Sequence, residues 1–358
     1  MKICVYAIAH NEQKFIQRFI EAAWPADLIL IADTGSTDDT VKLASEYATK
    51  TMVRTIYVWP WRFDKARDAA LAMVPKDIDV CVSLDLDEVL QPGWREKIES
   101  VWKVGETTRL RYLFDWGIGV KFYYEKIHAR FGYHWHHPCH EYPRPDGRIK
   151  EVYATVPELL VVHQPDPGKS RGQYLDLLKL SVEEDPICPR NAFYYARELS
   201  FVQRWEDSIK ECDRYLALPG ATWPNERCYA HRVRGRCFTN LGRRDDAYGA
   251  FLQAAAAAPN TREPWYELAE LMESQERWAE MLSFSLRCLQ VKDKELVYTV
   301  DPVVWGLAPH DNAAIAAHYS GLRDLAIEHG NYALAFEPGS PRLRDNLRWY
   351  TGELRNAG

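Results

Sequence analysis

Periodicity changes once along this chain of 358 residues, near residue 172, and that change constrains the fold more than any other feature. Before it, short β-rich apolar runs alternate with amphipathic helical stretches. After it no β-rich run occurs, and apolar residues recur at helical spacing. Lys2 to Ile8 is the first run, followed by Ala9-His10-Asn11-Glu12 and a helix with Phe15, Ile16, Phe19 and Ile20 on one side. Leu28 to Ala32 is the second, ending in Asp33-Thr34-Gly35-Ser36-Thr37-Asp38-Asp39-Thr40. There Gly35 gives a tight turn, and Ser36, Thr37 or Asp38 caps the next helix. Trp61-Arg62-Phe63-Asp64-Lys65-Ala66-Arg67-Asp68 opens a helix through Met73, and a strand ending at Leu84 follows. Alternation in this order predicts a mostly parallel sheet with a site along one edge.

That last strand carries the chemistry. Val80-Cys81-Val82 runs into Ser83-Leu84-Asp85-Leu86-Asp87-Glu88, which puts three carboxylates in four residues. A buried strand ending in Asp-x-Asp sets acid side chains at the carboxyl edge of a sheet, where open α/β sheets bind ligands. Hard oxygen donors there suit Mg²⁺ or Mn²⁺, and such an ion suits a diphosphate. Read alone, the same residues make a solvated acidic turn. The ordered motifs upstream favour the site.

Composition sets the outer bounds. Hydrophobic residues make up 47% and charged residues 27%, an ordinary globular balance for a chain long enough for two domains. No apolar run approaches the roughly 20 residues that span a bilayer. The N-terminus enters a strand at once, with no signal or transit peptide pattern. The cysteines at 4, 81, 139, 188, 212, 228, 237 and 288 show no CxxC spacing, so buried thiols in a reducing cytoplasm are expected. A net charge of −6 argues against a polyanion partner for the whole protein while permitting a local basic groove.

In the second half, Leu241-Gly242-Arg243-Arg244-Asp245-Asp246-Ala247, then Phe251, Ala254 and Pro259, resembles the tetratricopeptide pattern. A shift of about 34 residues, the usual period, sets Trp265 beneath His231, Leu268 beneath Arg234 and Trp278 beneath Arg244. An earlier unit runs from Ala192 through Trp205 to Pro219, and a later one from Ala313 through Gly321, Ala326 and Ala333 to Pro338. Uneven spacing predicts insertions around Gly220–Pro224 and Asp293–Pro309. Such a solenoid either braces the first half or docks an acceptor on its concave face. Arg227 to Arg236 holds four arginines, a histidine and no acid, and reads as a solvated face or as a cradle for an anion.

The ordered segments "AIAHNE", "DTGSTDDT", "FDKARDAA" and "LDLDE" resemble the family 2 glycosyltransferases of the GT-A fold over about the first 165 residues. The resemblance implies a Rossmann-like, mostly parallel α/β catalytic domain over 1–170, followed by an all-α tetratricopeptide-like domain over 171–358. It further implies a nucleotide-sugar donor, UDP-linked by preference, and inversion at the anomeric carbon. The nucleotide pocket would take the backbone of Ala7 and Ala9, with Asn11 and Glu12 in the same segment and Asp33 on the base. One departure stands out: the family usually has Arg-Asn where this chain has Arg67-Asp68. Arg67 and Lys65 would add positive charge near the diphosphate, unless either is a plain surface charge.

Transfer from a diphosphate donor requires neutralising the leaving group and deprotonating the acceptor. The resemblance gives the first task to Mn²⁺ or Mg²⁺ on Asp87, with Asp85 nearer the ribose and sugar hydroxyls. Tyr133-His134-Trp135-His136-His137-Pro138-Cys139-His140-Glu141 ends like the family's "W…HE" motif. That makes Glu141 the general base and His140 the alternative, as base or metal ligand, with His134, His136 and His137 packing a loop. Four histidines here do not make a zinc site, because no second cluster with finger-like spacing follows. His163, ending the apolar run Leu159-Leu160-Val161-Val162, matches the position of a third metal ligand in GT-A enzymes. The acceptor is open: a glycan, a peptide side chain or a modified nucleic-acid base. Two other classes compete. A sugar-phosphate nucleotidyltransferase would open with a glycine-rich loop, and Lys2 to Glu12 contains no glycine. A repeat-based adaptor with an inactive transferase domain would have no need of Asp85, Asp87, Glu141 and His163 together.

Overall fold

The computed structural model describes residues 1–166, 168 and 172–353. The chain divides into two compact units, residues 1–181 with 296–298, and residues 182–295 with the chain from 299 onward.

The first unit is built on a sheet of eight strands. In chain order its elements are β1 (Ile3–Ala9), α1 (Ile16–Ala23), β2 (Leu28–Asp33), α2 (Thr40–Ser45), β3 (Thr51–Thr55), α3 (Phe63–Met73) and β4 (Val80–Ser83). There follow β5 (Glu88–Leu90), α4 (Trp94–Val101), β6 (Arg109–Gly117), β7 (Val120–Ala129), β8 (Tyr133–His136), β9 (Tyr142–Pro145) and β10 (Tyr153–His163). The strand order is β3-β2-β1-β4-β7-β6-β10-β5, with β8 and β9 forming a separate hairpin. β3, β2, β1 and β4 are mutually parallel; β1, β2 and β4 have the apolar, doubly buried sequences such pairing favours, and β3, at the edge, is partly exposed. β7 then pairs antiparallel with β4 and with β6, so the second half of the sheet is mixed.

Alternation along the strands divides the core between two faces. Ile3, Val5, Ala7, Ile29, Ile31, Val80 and Val82 pack with α1 and α4, burying Ile16, Phe19, Ile20, Trp94 and Ile98. Cys4, Tyr6, Leu30, Ala32 and Cys81 face the other way, toward Ala66 and Ala70 of α3 and Trp135 of β8. The amphipathic stripe expected of α1 is present; Phe15 stands at its N-cap. Among the described residues, no helix is long and apolar enough to cross a membrane.

α5 (Tyr174–Glu184) carries the chain onward into the second unit, which is helical. It holds α6 (Pro189–Phe201), α7 (Trp205–Ala217), α8 (Pro224–Asn240), α9 (Arg244–Ala257), α10 (Glu263–Glu273), α11 (Trp278–Gln290), α12 (Ala308–Tyr319), α13 (Arg323–Phe336) and α14 (Pro341–Thr351). Four successive helix pairs run from α6 to α13, and each pair turns through one residue of positive φ: Gln203, Gly242, Glu276 and Gly321. α9 and α11 begin at 244 and 278, which is the 34-residue period. The longer links fall after Ala217 and after Gln290, the second holding a short 3-10 turn at Pro302–Trp305.

The arginine-rich stretch on α8 is neither a solvated face nor an open cradle. Arg232, 2% exposed, pairs with Glu267 of α10 at 2.9 Å. Arg236 reaches the same carboxylate at 2.5 Å, and Arg234 pairs with Asp213 of α7 at 2.9 Å. Arg227 donates to the carbonyls of Leu216 and Ala221 at 3.1 and 3.0 Å. These cations join neighbouring helices. Burial removes most of the hydration of Arg232 and Arg234, while Arg236 stays 43% exposed, and all three pair with carboxylates inside the unit.

Candidate active site at the carboxyl edge of the sheet

The sheet changes its direction of winding between β1 and β4. From β1 the chain moves to β2 and β3 on one side, then crosses through α3 to place β4 on the other. Strands that part in this way leave a crevice at their carboxyl ends, the usual ligand position in open α/β sheets. β1 stays paired with β2 as far as Ala9 and Asp33, whereas its ladder with β4 ends at Tyr6 and Ser83.

The loops after β1 and β2 are tied into one wall. Asn11, whose φ of 56° an asparagine tolerates, donates its N–H to Ser36 Oγ at 2.9 Å. Its Oδ1 accepts from the Thr37 N–H at 2.7 Å, and Glu12 N–H donates to Thr40 Oγ1 at 2.7 Å. Asp33 is 3% exposed and shapes its own turn. Its Oδ2 accepts from the N–H of Gly35 at 2.9 Å and of Ser36 at 3.1 Å. Ala7 is fully buried with its backbone in the β2 ladder, and the Ala9 carbonyl accepts both the N–H and hydroxyl of Thr34 at 2.9 Å. Of the three capping candidates, Asp38 is the one whose side chain reaches α2, accepting from the Thr40 N–H at 3.0 Å.

At the end of β4 lies a knot of five charged side chains. α3 buries its Asp64, Ala66, Arg67, Ala70 and Leu71 stripe, which aims Arg67 at the end of β4. Arg67 Nε donates to Glu141 Oε1, one terminal nitrogen donates to Asp85 Oδ1, and the other reaches Ser83 Oγ at 3.2 Å. Its guanidinium stands 4.8 Å from the Trp135 ring centroid, a cation-π contact inside the protein. Lys126 of β7 completes the knot, with Nζ 3.1 Å from Asp85 Oδ2 and 3.2 Å from Glu88 Oε1. Glu88 in turn accepts the Asp85 N–H through Oε2 at 2.9 Å. Four of the five side chains are buried, while Asp85 keeps 41% of its side-chain surface exposed. Asp85 is the most open of the five, and Glu141 keeps 9% of its side-chain surface exposed.

The electrostatics follow from that packing. Loss of hydration pushes the Asp85 carboxyl up, but Arg67 and then Lys126 outweigh it and hold it well below the usual carboxylate range. Burial works against the charge on Lys126 too, and Asp85 and Glu88 keep it protonated well above its ordinary value. For Glu88, burial drives the pKa upward, Lys126 draws it back, and the Asp85 charge adds to the rise.

Asp87 and His163 form a second group on the same edge. β10 pairs antiparallel with β5 and sets His163 opposite Glu88. His163 Nε2 lies 3.4 Å from Asp87 Oδ2, and the Asp87 carbonyl accepts the Gln164 N–H at 2.8 Å. The Trp116 ring lies over the imidazole at 4.4 Å between centroids. Burial disfavours a charged His163, yet hydrogen bonding to Asp87 and its charge raise the pKa above the ordinary value. Two donors on one octahedral ion of Mg²⁺ or Mn²⁺ type stand roughly 3 Å apart, so this oxygen–nitrogen pair fits such an ion. Among the described residues no group of three or more His, Cys, Asp or Glu is arranged around a metal position. The pair would therefore leave most of the coordination to substrate oxygens and water, as phosphate-binding Mg²⁺ commonly does.

Not every expected residue reaches this edge. Lys65 is exposed on α3, and its charge acts on Asp68, away from the Arg67 face. Asp68, the departure from Arg-Asn, accepts the Trp135 N–H at 2.7 Å and so ties α3 to β8. His140, at φ 53°, turns its ring toward Tyr174 at 5.9 Å, and the imidazole beside Asp87 belongs to His163. His136 and His137 lie 4.0 Å apart between ring centroids, and both lie near Tyr142. Lys126 and Trp116 escaped the sequence reading, and Ser83 and Glu88 were named there within the acidic stretch without a role of their own. Lys126 gave no signal, because a lysine in a strand reads as a solvent-facing residue.

Residues 4–135 match the family model described as glycosyl transferase family 2. No curated protein matches the chain. Among solved structures, the chain is similar to YrrB, described as a TPR protein with an unusual peptide-binding site. The identity is 15% and the TM-score 0.40, covering 49% of this chain and 82% of that one. MamA is similar at 16% identity and a TM-score of 0.37, over 51% of this chain and 87% of its own. PilF of Pseudomonas aeruginosa follows at 14% identity and 0.38, over 50% and 72%.

Proposed function

We propose that this protein is a metal-dependent, inverting glycosyltransferase that takes a sugar from a nucleoside diphosphate, UDP by preference, to an acceptor hydroxyl. One observation carries the reading: Asp85, Arg67 and Glu141 are linked in one buried hydrogen-bonded chain on the sheet edge that also holds Asp87 and His163. The family 2 match over residues 4–135 supports the transferase class.

In this reading Asp87 and His163 hold the Mn²⁺ or Mg²⁺ ion. When bound, that ion supplies positive charge to the departing diphosphate. Asp85, open to solvent and fixed at both oxygens, accepts hydrogen bonds from ribose or sugar hydroxyls. The wall made by Asn11, Glu12 and the Asp33 turn borders the nucleoside, with Ala7 and Ala9 supplying backbone. Glu141 takes the proton: the acceptor oxygen bonds to the anomeric carbon, the bond from that carbon to the diphosphate breaks, and the hydroxyl proton passes to Glu141 Oε2. Arg67 occupies Oε1 and so keeps the carboxylate oriented. Docking of the acceptor by the helical unit belongs to the same proposal, although the α8 arginines, already paired, do not supply it.

The test is incubation of the purified protein with a panel of radiolabelled nucleotide sugars, with Mn²⁺ and with chelator. Metal-dependent release of sugar from at least one donor is expected, with inversion when an acceptor is supplied. Absence of nucleotide binding and of hydrolysis across the panel would overturn the reading in favour of an adaptor.

A further inference from the structure

Lys126 is an unusual residue for its place. It sits on the central antiparallel strand β7, its side chain is 5% exposed, and it touches two carboxylates about forty residues upstream, Asp85 after β4 and Glu88 at the start of β5. An unpaired lysine so deeply buried would lose its charge or its place, so both contacts are needed to hold it. They are also unequal in what they fix. On Asp85, Arg67 occupies Oδ1 and Lys126 occupies Oδ2, which sets the plane of the one exposed carboxylate in the cluster. On Glu88, Lys126 holds Oε1 while Oε2 takes the Asp85 N–H, which closes the turn from Asp85 to Glu88 around Asp87. A single ammonium thus fixes the side chain of Asp85 and the backbone turn that carries Asp87.

We propose that Lys126 is a positioning residue of the donor site, acting through Asp85 and through the Glu88-closed turn to hold both acids of the Asp-x-Asp segment in their binding geometry. The inference rests on the transferase reading above and extends it to a residue on a strand outside every recognised motif. Lysine serves here where a longer, planar arginine would not: a compact ammonium can meet two carboxylates that approach from different directions. Second-row partners of this kind typically affect ligand affinity 10- to 100-fold when removed.

The experiment measures UDP binding in the presence of Mn²⁺ by calorimetry, with thermal unfolding as the control for fold. Lys126→Met alone leaves Glu88 buried without its cation and is expected to lower the melting temperature. Lys126→Met/Glu88→Gln removes both buried charges together and keeps the volumes, so it is the variant that isolates the role. It is expected to fold and to bind UDP about 10-fold or more weakly. Asp85→Asn added to that pair should cost less than Asp85→Asn costs in the wild type, since Lys126 acts through Asp85. Unchanged UDP affinity in the folded double variant overturns the inference, as does full additivity with Asp85→Asn. A wild-type protein that binds no UDP, and none of the other common nucleoside diphosphates, overturns the transferase reading itself and takes this inference with it. If the double variant does not fold, Lys126→Arg decides: its planar fork cannot meet both carboxylates in the same way, so weaker UDP binding by a well-folded Arg variant is expected, and wild-type affinity in it overturns the inference.

Discussion

Arg67 of α3 and Glu141 at the head of β9 form a buried ion pair, and the same guanidinium reaches Asp85 at the end of β4. Three chain segments that are distant in sequence are thereby joined by one side chain. Burial acts against the charge on Arg67, but Asp85 and Glu141 more than compensate and hold its pKa well above the ordinary value. Arg67→Lys keeps the charge and loses the planar fork, so one amine must replace donors to Glu141, Asp85 and Ser83. Turnover is expected to fall at least 10-fold, with the fold retained. Arg67→Met, which leaves Glu141 uncompensated, should destabilise by about 3–5 kcal/mol in chemical denaturation. A Lys variant with wild-type turnover would show that holding Glu141 and Asp85 on separate nitrogens of one guanidinium has no role.

Glu141→Gln tests the proposed base. The amide keeps the shape and can still meet Arg67, but it cannot accept the acceptor's proton. Turnover should drop by about 10²–10⁴ while donor KM changes little. His140→Ala is expected to leave turnover within a few fold, because His163 holds the place beside Asp87. Reversal of these two outcomes would exchange the roles.

The parts that could be read from the amino-acid order are those in which short-range pattern and tertiary demand agree. β1, β2 and α1 announce themselves because burial on both faces of a strand, or one face of a helix, leaves a contiguous apolar signature. Asp85 could be placed on the binding edge because it closely follows β4, whereas Arg67 lies within α3 and was named only through the family resemblance. What escaped is long-range. Nothing local tells that β7 inserts antiparallel beside β4, so Lys126 could not be placed next to Asp85. The α8 arginines misled for a related reason: a run of cations has no acid beside it in sequence, yet Asp213 and Glu267 meet it from adjacent helices. Lys65 and Arg67 look alike on paper, and helical geometry alone separates them, one outward and one into the site.

Asp87→Ala and His163→Ala should act on the same quantity. Each removes one of the two proposed metal ligands, and since loss of even an outer partner of a ligand costs about 10- to 100-fold, Mn²⁺-stimulated UDP binding should weaken by at least about 10-fold in either variant. Metal-free binding should change little, and the melting temperature of the apoprotein should stay close to wild type. Retention of full Mn²⁺ stimulation in both variants would place the ion elsewhere.

The helical unit offers a test of its repeat geometry that does not depend on activity. The turns within its four helix pairs each use a left-handed residue, and two use glycine while Gln203 and Glu276 do not. A side chain in that conformation costs about 1–2 kcal/mol, against the 0.5–1 kcal/mol that glycine loses in chain entropy. Glu276 is exposed, with φ 55°, so Glu276→Gly should stabilise the unit by about 0.5–1 kcal/mol. Gly235 within α8 should behave in the opposite way. A Cβ there would sit 2.3 Å from Phe251 Cε1 of α9, and Phe251 is 3% exposed with nowhere to move. Alanine gains up to about 1 kcal/mol of helix propensity. Overpacking costs about 1–3 kcal/mol, and so close an approach to a buried ring belongs at the upper end. Gly235→Ala is therefore expected to destabilise by about 1–2 kcal/mol, a fall of several degrees in the melting transition of the unit. A more stable alanine variant would mean that α8 and α9 do not pack as closely as the glycine requires.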